Sequence, residues 1–237
     1  MSVRIYGKNP AIEILSTDKK VFNAFVMEDT NQDIIKILKE KNININYLNK
    51  HNFKKDFLGN HQGIVLEVED YKTLDLDEFI ASIDIKTNPL VLMLDGITDP
   101  HNFGAIIRSA EAGGVAGVII PNKRSVKITG TVAKVSSGAI EYVKIVEVTN
   151  LRNSIDKLKK IGFWAIGTDL NADKSYQDID ITVPLLLVMG SEGKGVSKII
   201  KDNVDYNVKI DMAGKINSLN ASVSAGILIF DILRKKS

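Results

Sequence analysis

The chain has 237 residues, 44% of them hydrophobic, with 31 Lys and Arg against 29 Asp and Glu. That apolar share supports a packed core in one large domain or two smaller ones and excludes a disordered chain. The near-neutral balance gives almost no long-range attraction to a polyanion, so a nucleic-acid partner must be met by a local patch. The absence of cysteine excludes disulfides, thiolate metal sites and cysteine nucleophiles, the scattered His51, His61 and His101 argue against a metal centre, and no apolar run approaches the roughly 20 residues that cross a bilayer. With no secretory h-region at the start, the expected location is cytoplasmic.

Residues 3–6, 21–27, 43–48 and 63–68 are short apolar or alternating runs that read as strands, separated by helical patterns over 9–15 and 32–39. Residues 1–71 are therefore expected to form a small α/β unit. Asp70, Asp75, Asp77, Glu78 and Asp84 then fall in a polar stretch with few turn signals, so 72–88 reads as a linker with one helical piece. From Pro89 the order is regular. Strands are expected over 90–94, 115–120, 143–148, 163–168, 184–189 and 206–210, with helices over 103–112, 130–137, 151–160, 196–201 and 221–235. Alternation of this kind implies an α/β domain over 89–237, with a mostly parallel sheet covered on both faces and ligands bound at the carboxyl ends of its strands.

Three turns rich in Gly, Asn or Ser fall at such ends. The first is Asp99-Pro100-His101-Asn102-Phe103-Gly104, running on to Arg108. Asn102 stands where a helix N-cap belongs, Phe103, Ile106, Ile107 and Ala110 form a buried stripe, and Arg108 projects opposite it toward solvent, a phosphate or another subunit. No acidic residue lies between Glu111 and Glu141, whereas Lys123, Arg124, Lys127 and Lys134 do. Such a segment is either a local patch for a nucleic-acid backbone or a solvated loop.

The second turn, Gly190-Ser191-Glu192-Gly193-Lys194-Gly195, follows the apolar run 184–189. Val196 after Gly195 breaks the P-loop pattern, and glycines at 190, 193 and 195 have the wrong spacing for a dinucleotide fingerprint. Glu192 disfavours a polyphosphate and suits a cationic or hydroxyl-bearing ligand; its structural alternative is a place near the next helix N-terminus. The third turn is Ser218-Leu219-Asn220-Ala221-Ser222, with Ser218 or Asn220 available as a cap. The helix after it has so little polar surface that it must be buried on more than one side, by a second subunit or within one monomer.

In order and spacing, the run 99–110, the run 189–195 and the run 218–222 resemble the three motifs of the SpoU (TrmH) family of RNA 2'-O-methyltransferases, with Ala221 in place of the usual valine. Ile5-Tyr6-Gly7-Lys8-Asn9-Pro10-Ala11 and His61-Gln62-Gly63-Ile64-Val65 look like the ends of the substrate domain carried by the bacterial 23S rRNA guanosine 2'-O-methyltransferase of the peptidyl-transferase P-loop. Ser136-Ser137-Gly138-Ala139-Ile140-Glu141 and Val148-Thr149-Asn150-Leu151 are similar to that enzyme too, and tRNA methylases of the D-loop generally lack the front domain.

The resemblance implies an RNA substrate-binding domain over 1–71 of ribosomal-protein L30e-like fold and a trefoil-knotted SPOUT methyltransferase domain over 89–237. It implies S-adenosylmethionine as cofactor, RNA (23S rRNA first) as partner, a homodimer with active sites at the interface, and no metal or membrane. Arg108 is then expected to activate the ribose hydroxyl and Asn102, Glu192, Ser218 and Asn220 to shape the site. The cofactor falls to the backbone around Met189, Gly190, Gly193, Ile210, Met212 and Leu219. Because the arginine pKa exceeds about 12, Arg108 is expected to act by electrostatics, stabilising the developing alkoxide and fixing a phosphate. The alternatives are a tRNA methylase of the same family or a non-catalytic ribosome assembly factor.

Overall fold

The structure, a computed structural model, describes residues 2–58, 61–123, 125–215 and 218–236. In chain order the first elements are β1 (Ser2–Tyr6), α1 (Lys8–Ser16), β2 (Val21–Met27), α2 (Gln32–Glu40), β3 (Ile45–Leu48), α3 (Lys50–Asp56), β4 (Ile64–Glu69) and α4 (Leu76–Ala81). Next come β5 (Leu90–Asp95), α5 (Pro100–Ala112), β6 (Gly117–Pro121), α6 (Gly130–Val135), β7 (Ile145–Val148), α7 (Leu151–Lys160) and β8 (Trp164–Thr168). The last are β9 (Lys174–Ser175), β10 (Leu185–Gly190), α8 (Lys198–Lys201), β11 (Tyr206–Lys209) and α9 (Ala221–Lys236). Among the described residues, no helix is long and apolar enough to cross a membrane.

The chain divides into two compact units, Met1–Lys72 with Lys127–Glu141, and Thr73–Val126 with Tyr142–Ser237. In the first unit the sheet order is β1-β4-β2-β3. β4 runs antiparallel to both β1 and β2, and β3 lies parallel to β2. Its core gathers Phe53, Phe57 and Val65, with Phe25 and Met27 packed against them. α3 has no sequence expectation behind it, since Phe53 is its one buried residue and no apolar period announces it.

The segment 127–141 is the less expected member of that unit. A Cβ on Gly130 would fall 2.0 Å from the Arg4 carbonyl oxygen, so α6 starts hard against the β1 backbone. At the far end of the segment, Lys19 Nζ lies 3.3 Å from Glu141 Oε2 with both side chains nearly buried, and 3.4 Å from the centre of the Tyr71 ring. Burial and the neighbouring Glu141 carboxylate push the Tyr71 phenol well above its ordinary range.

Residues 72–88, expected as a linker, instead belong almost wholly to the second unit. Asp75 caps α4 in a capping box with Glu78, and Phe79 is fully buried against Val91, Ile119 and Val146. Burial of that ring stabilises the unit by roughly 1.5–3 kcal/mol. The second unit carries a sheet of order β7-β6-β5-β10-β8-β11-β9 among the described residues, and every pairing in it is parallel. β5 and β10, both almost continuously apolar, lie at its centre in the register Leu185↔Leu90 through Gly190↔Asp95. After β7 the chain returns to the other side of β5, and β10 later fills the space between β5 and β8. The carboxyl ends of β5, β10, β8 and β11 thus meet where the winding reverses, the place where open α/β sheets bind ligands.

Candidate active site

α5 begins at an N-cap that differs from expectation. Asp99, followed by Pro100 at the first helical position, accepts the backbone N–H groups of His101 and Asn102, each at 3.2 Å. Asn102 is therefore not the cap, and its amide is free of that duty. It reaches across the chain: Asn102 Nδ2 donates to Glu192 Oε1 at 2.9 Å, and Asn102 Oδ1 accepts from Asn220 Nδ2 at 2.9 Å. Phe103, Ile106, Ile107 and Ala110 are fully buried and lock the helix that carries it.

Gly190 ends β10 and the chain doubles back at once. The Gly195 N–H donates to the Ser191 carbonyl at 2.9 Å, and a Cβ on Gly190 would fall 1.9 Å from the Gly195 carbonyl carbon, a distance no side chain survives. The loop then returns to the sheet through the Ser197 N–H, which donates to Asp95 Oδ2 at 2.8 Å. These residues are spent on the loop, so α8 spans only Lys198–Lys201 rather than the expected 196–201.

Glu192 does not sit at the start of that next helix. Its Oε1 accepts Asn102 Nδ2, Asn220 Nδ2 and, at 3.2 Å, the backbone N–H of Ala221, the first residue of α9. The carboxylate therefore meets the positive end of the last helix. Asn220 serves as that helix's cap, its Oδ1 accepting Ser222 N at 2.9 Å and Ser222 Oγ at 2.6 Å. Three side chains from three parts of the chain, Asn102, Glu192 and Asn220, are thereby joined in one closed hydrogen-bonded set.

Beside this set is a cavity of about 330 Å³ lined by the loops after β8, β10 and β11 and by the start of α9. Met189, Gly190, Gly193, Ile210, Met212 and Leu219 all line it, as do Glu192 and Ser218. Arg108 stands apart from the lining: it is exposed on α5, six residues beyond Asn102, or about 9 Å along the axis of a regular helix. The loop that follows β8 escaped sequence reasoning. Thr168, Asp169, Leu170 and Asn171 line the cavity, as does Lys201 of α8. The available signal was their place after a parallel strand; no glycine or motif marks them. Lys201 Nζ donates to Asp169 Oδ2 at 2.6 Å and holds the Asp169 carboxyl below the usual carboxylate range. Among the described residues no group of three His, Asp or Glu side chains is placed to hold a metal ion.

α9 packs against α5 and buries Ala221, Ala225, Leu228, Ile229 and Ile232. Val223, Phe230 and Leu233 remain 49%, 47% and 36% exposed and, with the half-buried Ile227, form a second apolar stripe at helical spacing.

A parallel α/β sheet with its ligand cavity at the reversal point, and motif residues of three distant segments closed over it, defines the class, and the comparisons give it a family. The SpoU rRNA Methylase family matches residues 89–230, and the RNA 2'-O ribose methyltransferase substrate binding family matches residues 4–74. The chain belongs to the SpoU (TrmH) family of RNA methyltransferases. It is 40% identical over 238 residues to a Bacillus subtilis (strain 168) protein named as a TrmH family tRNA/rRNA methyltransferase, YacO, covering 98% of this chain and 96% of that one. Among solved structures it shares its fold with the SpoU methyltransferase AviRb from Streptomyces viridochromogenes in complex with the cofactor AdoMet (TM-score 0.84, 24% identity, 99% of this chain and 90% of that one). It also shares it with an AdoMet-bound rRNA methyltransferase from Sinorhizobium meliloti (TM-score 0.82, 22% identity, 99% of this chain and 87% of that one).

Proposed function

We propose that this protein transfers a methyl group from S-adenosylmethionine to a ribose 2'-oxygen of RNA, at a guanosine of the peptidyl-transferase P-loop of 23S rRNA. The observation that carries the reading is the closed set of Asn102, Glu192 and Asn220 beside the cavity. A volume of about 330 Å³ falls in the range of small-molecule sites, roughly 300–1,000 Å³. A Cβ on Gly193 or Gly195 would meet no atom within 4 Å, so the loop leaves room at the cavity, and the Glu192 carboxylate suits a cationic ligand. When bound, the cofactor supplies an electrophilic methyl on a sulfonium.

The residues of this chain then divide the remaining work. Asn102 and Asn220 fix the Glu192 carboxylate, so a negative charge suited to a sulfonium would stand at the cavity wall already oriented. Met189, Gly190, Gly193, Ile210, Met212 and Leu219, which line the cavity, would hold the cofactor through the loop backbones, and Ser218 shapes the same wall. Arg108 stabilises the 2'-oxygen as it loses its proton and fixes a neighbouring phosphate, the proton leaving to that phosphate or to water.

The reading includes a homodimer. The exposed stripe of Val223, Ile227, Phe230 and Leu233 supplies an apolar face for a second copy, which would bring an exposed residue such as Arg108 to an interface site. It also includes the trefoil knot of the family in the second unit and an L30e-like first unit that binds the RNA. The first unit carries ten basic and ten acidic residues through Tyr71, so binding RNA requires its charges to be segregated on the surface. A cytoplasmic location goes with an RNA substrate of this kind.

The test is incubation with methyl-labelled S-adenosylmethionine and unmodified 23S rRNA, with tRNA in parallel, followed by mapping of the labelled ribose. Label at one guanosine of the peptidyl-transferase loop supports the full reading. Label in tRNA alone moves the enzyme to the other substrate, and cofactor binding without label puts an assembly factor in its place.

A further inference from the structure

Asp169 and Glu192 are the two carboxylates among the described residues that line the cavity. They differ in how the donors already present are spread over their two oxygens. Glu192 Oε1 already takes three donors. Among the described residues Asp169 takes one at each oxygen, Lys201 Nζ on Oδ2 at 2.6 Å and the Asn171 N–H on Oδ1 at 3.1 Å. A carboxylate has about four lone-pair sites, so one is left on each Asp169 oxygen. The group is also held in place: its own N–H donates to the Val208 carbonyl at 2.9 Å, and its side chain is 20% exposed.

We infer that Asp169 is a specificity-determining residue for the cofactor, accepting the two adjacent hydroxyls of the cofactor's ribose, and that Lys201 is its positioning residue. The inference rests on the methyltransferase reading above. Two neighbouring O–H donors match two oxygens of one carboxylate, each with an acceptor site to spare, the pairing by which acidic residues read ribose in nucleotide-binding folds generally. Neutral hydroxyls add to the Asp169–Lys201 pair without breaking it. A ligand ammonium would compete with Lys201 for the same carboxylate, and a ligand carboxylate would compete with Asp169 for the lysine. The topology agrees, because Asp169 follows β8 and Glu192 follows β10, and these strands are paired neighbours. The ribose of the cofactor is likewise joined to the sulfonium through a single methylene.

The test is calorimetric binding, which needs neither RNA nor turnover. Wild-type protein is titrated with S-adenosylhomocysteine, with its 2'-deoxy and 3'-deoxy analogues, and with 5'-methylthioadenosine, which lacks the amino-acid part. Loss of either hydroxyl is expected to weaken binding about tenfold to a hundredfold. D169N is expected to weaken S-adenosylhomocysteine and 5'-methylthioadenosine alike and to bind the deoxy analogues nearly as well as the parent compound.

Equal affinity of the wild type for parent and deoxy compounds overturns the assignment and needs no variant to do so. So does a D169N protein that loses affinity for S-adenosylhomocysteine but not for 5'-methylthioadenosine, since the carboxylate would then face the amino-acid end. Absence of any wild-type binding to S-adenosylhomocysteine removes the cofactor reading itself and this inference with it.

Discussion

Asn102 and Glu192 stand ninety residues apart in the chain and meet through a 2.9 Å hydrogen bond from Nδ2 to Oε1. That bond exists because Asp99, not Asn102, caps α5. Removing the acceptor leaves the Asn102 and Asn220 amides and the Ala221 N–H without their shared partner. Glu192→Ala is expected to lower methyl transfer at saturating cofactor about a hundredfold. Single-turnover rates, with circular dichroism to verify the fold, check it; a rate within threefold of wild type would remove Glu192 from the mechanism.

Arg108 is exposed, so replacing it costs the fold little. Arg108→Lys keeps the charge but loses the planar fork of donors. The expected outcome is a loss of turnover of about a hundredfold with S-adenosylhomocysteine affinity unchanged, measured by rate assay and calorimetry on the same preparation. Retained turnover would mean that charge alone suffices.

Gly190→Ala places a methyl group 1.9 Å from the Gly195 carbonyl carbon and 2.1 Å from the Val196 nitrogen, both backbone atoms that cannot swing aside. The loop has to open, and stability is expected to fall by about 2–4 kcal/mol. Urea unfolding followed by tryptophan fluorescence reads the change, together with loss of cofactor binding.

Phe230→Lys introduces a charge into the exposed stripe of α9 without touching the buried one. The predicted result is a monomer by light scattering, folded but with methyl transfer reduced at least tenfold. An unaltered dimer would place the subunit contact elsewhere.

The Asp169–Lys201 pair has a definite pH signature. The folded-state pKa of Asp169 is depressed, so the carboxylate favours the folded protein above its unfolded value of about 3.9, and this contribution disappears as pH falls through the lower folded value. Lys201→Met should therefore melt at a lower temperature than wild type at pH 6, with the gap closing below pH 4. Melting curves between pH 2.5 and 7 test it, and a gap constant across that range would assign the loss to packing of the lysine stem.

The second unit was largely readable from its residues because its elements announce themselves locally. The runs that became β5 and β10 are too apolar for anything but central parallel strands, and the four-residue spacing of Phe103, Ile107 and its neighbours marks one buried face of α5. The three glycine- and asparagine-rich turns were legible as a group, since all follow strands of one sheet. Asp99 could have been recognised as the cap from Pro100 after it. Asp169 and Lys201 could not, because an ion pair between a loop and a helix thirty-two residues later leaves no local period. Nor could the destination of residues 127–141, whose partners Arg4, Glu13 and Lys19 lie more than a hundred positions upstream.

That last segment bears on how the protein is made. Lys19 and Glu141 are separated by 122 residues, which at about 5–20 residues per second is roughly 6–24 s of synthesis. Once β4 has emerged, and for the rest of that interval, the sheet β1-β4-β2-β3 is complete while the strip of β1 destined for α6 is bare and Lys19 still lacks Glu141. By the time Glu141 arrives, β5, α5 and β6 have already been synthesised. Completion of the first unit is thus timed by the second, and a ribosome that stalls after residue 72 releases a sheet that still lacks its cover.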